Sequence, residues 1–180
     1  NHAFDGTINI ASLYVSSNLT YIKEDEINGI DEFVPIESYV FANNSNLTKI
    51  KFANNYIGYY MFDYATSLEN VYIDNCVTEI AEGPFANNIS LSRLELPFVG
   101  QNKDSNNTES GVLGWLFSKS CEEDYLEYHA EVSQEYTADN YRVSFIPKSL
   151  GYVNVYEAET INYGTFDQCT MIKVIDLPLI

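Results

Sequence analysis

The phrase FANNSNLTKIKF at residues 41–52 returns as FDYATSLENVYI at 62–73, FANNISLSRLEL at 85–96 and FDQCTMIKVIDL at 166–177. A weaker copy, LYVSSNLTYIKE, runs from 13 to 24. Repetition at a period of this size constrains the fold more than any other feature, because each copy is one structural unit that must stack on the next. The shared template is an Ile, a Phe five residues on, a Leu six after that, and two further apolar residues in i, i+2 spacing. Its leading pair reads Ile8/Leu13, Ile36/Phe41, Ile57/Phe62, Ile80/Phe85 and Ile161/Phe166. Its trailing triplet reads Leu47/Ile50/Phe52, Leu68/Val71/Ile73, Leu91/Leu94/Leu96, Leu150/Val153/Val155 and Ile172/Ile175/Leu177. The earliest copy has Leu19 and Ile22 but Glu24 in the third place, as a frayed end would. Steps between triplets are 28, 21, 23, 59 and 22 residues, so four are single coils and the fifth holds about two coils plus an insertion.

In an extended strand, residues two apart share a face. The last two apolar residues of each triplet therefore point inward, and their neighbours Lys51, Tyr72, Glu95, Asn154 and Asp176 point outward. Asn and Ser crowd the stretch between Phe and Leu, where their side chains satisfy backbone groups in turns. One coil cannot bury its own apolar edge. Stacked coils can, at about 1.5–3 kcal/mol for each fully buried Leu or Phe. Five or six rungs spaced about 4.8 Å apart make a slab on the order of 25 Å long, with open ends that neighbouring coils or a partner would cover.

Of 180 residues, 46% are apolar, and 26 acidic side chains face 9 basic ones, a net charge of −17. That balance excludes an electrostatic nucleic-acid footprint and adsorption to anionic membranes, and it favours solubility and repulsion between copies. No apolar run approaches the roughly 18 residues of a membrane-spanning helix. The chain opens without Met or a signal segment and closes on LPLI inside the repeat pattern, which reads as a piece of a longer protein. Cys76, Cys121 and Cys169 are too few and scattered for a disulfide framework or a zinc site.

The segments LTKIKFANNYI at 47–57 and LENVYIDNCVTEI at 68–80 resemble the leucine-rich-repeat consensus, with Asn55 and Cys76 on its Asn/Cys position. The preceding FANN phrase and the Leu96-Pro97 and Leu177-Pro178 pairs are similar to the BspA-like, or Treponema-type, leucine-rich repeats of surface proteins. The resemblance covers about 8–98 and 145–180. It implies an α/β-type but β-rich leucine-rich-repeat solenoid, right-handed and curved or flattened. It also implies export to the cell surface or the extracellular space, and work by binding: adhesion to host proteins, other cells or biofilm. No catalytic residues travel with the resemblance.

Residues 99–144 break the repeat. QNKDSNNTESG is a polar loop, VLGWLF carries the single Trp, Trp115, and is apolar enough to dock on the repeats, and nine acidic residues here outnumber three basic ones. Phe145 opens the next coil without an Ile five places before it, since Asn140 stands there, so the insertion is expected to replace the convex half of that coil. Long insertions in repeat proteins carry function in some cases and simply plug the core edge in others.

Candidate chemistry is sparse. Cys121 and His129, eight apart, could form a thiol–imidazole pair, yet no orienting group accompanies them and an acidic setting raises a thiol pKa. Serine-hydrolase, zinc-protease, phosphate-loop and dinucleotide motifs are missing. KEDEINGIDE at 23–32 and CEED at 121–124 group carboxylates without the order of a calcium loop, so solvated acidic loops explain them. Five N-x-S/T sequons begin at Asn18, Asn43, Asn46, Asn88 and Asn106, four of them in one turn of the repeat, which turn chemistry accounts for. The expectation is a non-enzyme with no cofactor and no metal.

The outward strand positions are the most informative. They are Tyr21/Lys23, Lys49/Lys51, Asn70/Tyr72, Arg93/Glu95, Tyr152/Asn154 and Val174/Asp176. These twelve hold four of the nine basic residues and only two of the 26 acidic ones, a near-neutral to positive strip with aromatic faces on an acidic chain. Tyr and Arg are the types that anchor interfaces, although Lys and Tyr also suit exposed strands for structural reasons. The expected site is Tyr21, Lys23, Lys49, Lys51, Asn70, Tyr72, Arg93, Tyr152 and Asn154, and the expected partner a protein at the cell surface or on a host. The alternatives are a spacer that presents another domain, or a saccharide surface with Tyr21, Tyr72 and Tyr152 as platforms.

Overall fold

The computed structural model describes residues 2–16 and 38–178. Its main element is a six-stranded, fully parallel sheet in the order β1-β2-β4-β6-β9-β10. The strands are β1 (Ser12–Val15), β2 (Lys49–Phe52), β4 (Asn70–Ile73), β6 (Arg93–Leu96), β9 (Tyr152–Val155) and β10 (Val174–Asp176). A two-stranded parallel ladder, β3 (Tyr56–Ile57) with β5 (Glu79–Ile80), forms a second short side of the repeat. An antiparallel hairpin, β7 (His129–Thr137) with β8 (Asn140–Pro147), projects from it. Among the described residues, helices are few and short: three 3-10 segments at Glu109–Gly111, Leu113–Leu116 and Glu123–Tyr128.

The alternation read from the triplets is present. Ile50 and Phe52, Val71 and Ile73, Leu94 and Leu96, and Val153 and Val155 are all buried, while their strand neighbours are exposed or half-buried. Leu47, Leu68, Leu91 and Leu150 close the turn beneath them. The phenylalanines form a second column, with Phe4, Phe41, Phe62 and Phe85 stacked at centroid distances of 5.2, 5.5 and 5.7 Å. Each Phe N–H donates to the residue before the next Phe: Phe4 to Val40 O, Phe41 to Met61 O, Phe62 to Pro84 O and Phe85 to Leu116 O, at 2.8–3.1 Å.

The Phe turn also explains its Asn-rich wording. Two residues per turn sit in the left-handed region, one two places before the Phe and one two places after. These pairs are His2/Gly6, Tyr39/Asn43, Tyr60/Tyr64, Gly83/Asn87 and Gly164/Gln168. Gly and Asn adopt that conformation most readily, and Asn87 adds a bond from Nδ2 to Asp63 Oδ1 at 2.9 Å. Asn44 and Asn88 are fully buried, each donating Nδ2 to carbonyls of the turn.

Two expectations need correction. The first strand is Ser12–Val15, with Leu13 opposite Ile50 and Val15 opposite Phe52. Leu13 is therefore the middle of a triplet and not the partner of Ile8 in a leading pair. The opening copy is FDGTINIASLYV at 4–15, in which Phe4, Ile10, Leu13 and Val15 keep the spacing of Phe41, Leu47, Ile50 and Phe52. Gly6 and Thr7 in place of the usual Asn-Asn hide it. The copy expected around Leu19, Ile22 and Glu24 lies outside the described residues.

The second correction concerns the insertion. Its middle does not replace the turn half of the fifth coil but supplies it. Val112 and Phe117 keep the five-residue spacing of Ile80 and Phe85, both are fully buried, and Phe85 N–H bonds to Leu116 O as the ladder requires. Phe145 sits instead on β8, half-buried. Two separate additions remain: the loop around 100–111, ahead of Val112, and the segment from 118 to 147 that ends in the hairpin.

Trp115 docks as the apolar VLGWLF run implied, its Nε1–H donating to Ile80 O at 2.8 Å. The hairpin is fastened by Gln134, whose Oε1 accepts from Gly114 N–H at 2.7 Å and whose Nε2 donates to Thr165 O at 2.6 Å. Arg142 fastens it too. Its side chain is wholly buried and reaches Glu82 at 2.7 Å, Glu109 at 2.8 Å and Ser144 at 3.0 Å, with the guanidinium 5.2 Å from the Trp115 ring. Glu109 also takes Lys119, and these cations hold its carboxyl below the usual range, Lys119 first. At the other edge, Ile175 and Leu177 occupy core positions of the pattern yet are 40% and 48% exposed, so the outer side of β10 is bare.

Candidate functional site

Parallel, in-register pairing lines the outward residues into two rows. One runs Ser12, Lys49, Asn70, Arg93, Tyr152, Val174; the other runs Tyr14, Lys51, Tyr72, Glu95, Asn154, Asp176. The structure thus brings together seven of the nine expected site residues, Lys49, Lys51, Asn70, Tyr72, Arg93, Tyr152 and Asn154. Tyr21 and Lys23 lie outside the described residues, and the outward pair of the first strand is Ser12/Tyr14.

The rows are organised by cation–aromatic contacts. Lys51 Nζ stands 5.6 Å from the Tyr14 ring centre and 5.5 Å from that of Tyr72, within the range where an ammonium is attracted to a ring face. The Arg93 guanidinium lies 3.8 Å over Tyr152 while its Nε bonds Glu95 Oε1 at 2.9 Å. The Tyr152 hydroxyl donates to Asp176 Oδ2 at 2.5 Å, and that bond pushes its phenol pKa up. Tyr72 stacks on Tyr156 at 5.8 Å, nearly coplanar, and Tyr156 donates its hydroxyl to Ile73 O at 2.6 Å. Burial pushes the Tyr156 phenol pKa up, and its contact with Tyr72 adds to the rise.

These contacts occupy the tyrosine faces. Arg93 lies over the Tyr152 ring and Tyr156 stacks on the Tyr72 ring, so each tyrosine already has a partner on this surface. What remains presented is charge: Lys49 and Lys51 are exposed and have no ion pair among the described residues. A shallow groove of about 390 Å³ runs over β1, β2, β4 and β6, lined by Tyr14, Lys49, Lys51, Asn70, Tyr72 and Arg93.

Tyr14 and Tyr156 were not among the expected site residues. Tyr14 could have been found by aligning FDGTINIASLYV with the other copies. Tyr156 carries no signal, since it stands one residue past its strand and reaches Tyr72 across two repeats.

A larger cleft of about 720 Å³ opens between the loop at 102–106 and residues 157–162. Part of its polar lining is already engaged: Asn75 Nδ2 donates to Glu157 Oε1 at 2.7 Å and Asn162 Nδ2 to Ser105 O at 3.1 Å. Cys121 and His129 do approach, with Sγ 3.7 Å from Nδ1, but Nδ1 also faces Tyr125 O at 3.0 Å. Burial, helped by Glu122, pushes the Cys121 thiol up, and burial holds the His129 imidazole low. The pair is a thiol beside a neutral ring, unlike an activated nucleophile, which is a thiolate. Among the described residues, no three metal-capable side chains converge. The sequon residue Asn88 is buried, and Asn43 Nδ2 is bound to Asp5 Oδ1 at 2.8 Å.

Fold and face together define a strand-rich repeat protein with a parallel sheet whose outward rows form an ordered surface. The chain belongs to the BspA-type leucine-rich repeat family, whose pattern matches residues 1–105 in six copies. β9 and β10 continue the in-register sheet beyond that span. No curated protein and no solved structure matches the chain. Repeats of this family generally mediate protein binding or adhesion, are typically non-catalytic and are usually surface-associated. Among the described residues, no helix is long and apolar enough to cross a membrane.

Proposed function

We propose that this chain is a non-catalytic recognition module of an exported cell-surface protein, a right-handed leucine-rich-repeat solenoid that binds a protein partner through its strand face. The observation that carries the reading is the local contrast of charge. On a chain of net charge −17, the described outward rows hold Lys49, Lys51 and Arg93 against Glu95 and Asp176, with Lys51 held between two tyrosine rings. Side chains positioned before a partner arrives lose less freedom on binding, and Tyr and Arg are the residue types that dominate interface energies.

The test is capture from surface and extracellular proteins and glycans. Wild type runs beside a Lys49→Glu/Lys51→Glu/Tyr72→Ala variant first matched to it in melting temperature. A partner held by the wild type and lost by the variant supports the strand face. Equal capture moves the site to the hairpin or the Phe turns. No capture by either leaves the chain as a spacer.

A further inference from the structure

The surface carries a feature that matches the strand face in charge and in spacing. The 3-10 helix Glu123–Tyr128 stands on the hairpin side with none of its residues buried. Glu123, Asp124 and Glu127 are exposed, and Leu126 and Tyr128 are 45% and 42% exposed beside them. The helix is held from below: the Tyr125 ring meets Tyr64 edge-on at 5.4 Å, and the Lys148 ammonium bonds Glu127 O at 2.8 Å. It is a positioned acidic knob with apolar flanks, and its carboxylates have no ion pair among the described residues.

The spacings agree. In a 3-10 helix residues three apart eclipse, so Asp124 and Glu127 share a face about 6 Å apart along the axis. Lys49 and Lys51 are two apart on one face of β2, about 6.7 Å. A helix lying along β2 would set its two carboxylates over these two ammonium groups. Its apolar flank would then meet the rings of Tyr14 and Tyr72 on the adjacent strands.

We propose that the strand face accepts a second copy of this chain, with the Glu123–Tyr128 helix of one copy lying along β2 of the next. This rests on the strand-face reading above and names its occupant. The two patches differ, so the contact is head-to-tail and builds chains or rings and not a closed symmetric pair. The net charge of −17 on each copy opposes approach, but at about 0.15 M salt the screening length is about 8 Å. Close pairs at the contact are then felt more than the distant remainder.

The test is sedimentation at about 0.15 M salt, up to millimolar protein. It uses the full chain and two variants matched to it in melting temperature, Lys49→Glu/Lys51→Glu and Asp124→Lys/Glu127→Lys. The wild type is expected to self-associate and each variant alone to weaken at least about tenfold, since unlike pairs become like pairs. A mixture of the two variants is expected to recover, because each then offers the other a complementary patch. A monomeric wild type, a variant that assembles as the wild type does, or a mixture without recovery each overturns the proposal. A monomeric wild type whose lysine variant still loses a captured protein leaves the strand-face reading standing with another occupant. Loss of neither partner nor assembly in that variant removes both.

Discussion

Asp63 follows Phe62 in the third Phe turn and is 6% exposed, an uncomfortable place for a carboxylate. Burial pushes its pKa up to about 6 from 3.8, with Glu122 and Asp5 adding to the rise and bonds from Asn87 and the Tyr64 N–H opposing it. The difference between about 6 and 3.8, at about 1.36 kcal/mol per pH unit, amounts to about 3 kcal/mol. The sign follows from linkage: a carboxyl whose folded pKa lies above its unfolded one contributes stability that is complete below pH 3.8 and is lost as pH rises through about 6. At neutral pH the folded protein bears the cost of an ionised Asp63. Asp63→Asn removes the charge and keeps an oxygen that can accept from Asn87. It is expected to raise the urea unfolding free energy by about 1–3 kcal/mol near pH 7.5, with the gain shrinking towards zero near pH 4. A variant no more stable than wild type at pH 7.5, or a gain of the same size at both pH values, would refute the argument.

Three further outcomes follow from the packing. Phe62→Ala opens the middle of the phenylalanine column, where Phe62 also meets Phe52 edge-on, and should cost about 3–5 kcal/mol in chemical denaturation. Arg142→Met leaves Glu82 without its cation under the hairpin and should cost about 3–5 kcal/mol. Amide exchange in β7 and β8 should rise more than in β2 or β4. Val15→Asp buries a charge and should unfold the first repeat, whereas Tyr14→Asp, one residue away on the open face, should shift stability by no more than about 0.5 kcal/mol. Similar losses from both would mean that the first strand is out of the register described.

The amino-acid sequence by itself determined the repeating unit, and the reason is short-range. Which face a strand residue takes depends only on its parity, and whether a Phe reaches the same column depends only on a fixed count from the next Leu. Ile50, Val71, Leu94 and Val153 could therefore be placed inside, and Lys51, Tyr72, Glu95 and Asn154 outside, from spacing alone. The same counting failed at residues 4–15 only because Gly6 and Thr7 replace the Asn pair, although Gly serves the left-handed turn equally well. Tertiary structure decided what spacing does not encode. That Val112 and Phe117 fill the turn half of the fifth coil while Phe145 goes to β8 depends on where the hairpin leaves the repeat, and counting does not reveal it, since neither Phe has a Leu six places on. Arg142 reads as a surface charge until Glu82, sixty residues earlier, and Glu109 close around it. Tyr156 covers Tyr72, and Lys51 settles between Tyr14 and Tyr72, because separate strands arrive side by side. Such contacts join residues with no common period, so only the stacked chain brings them into being.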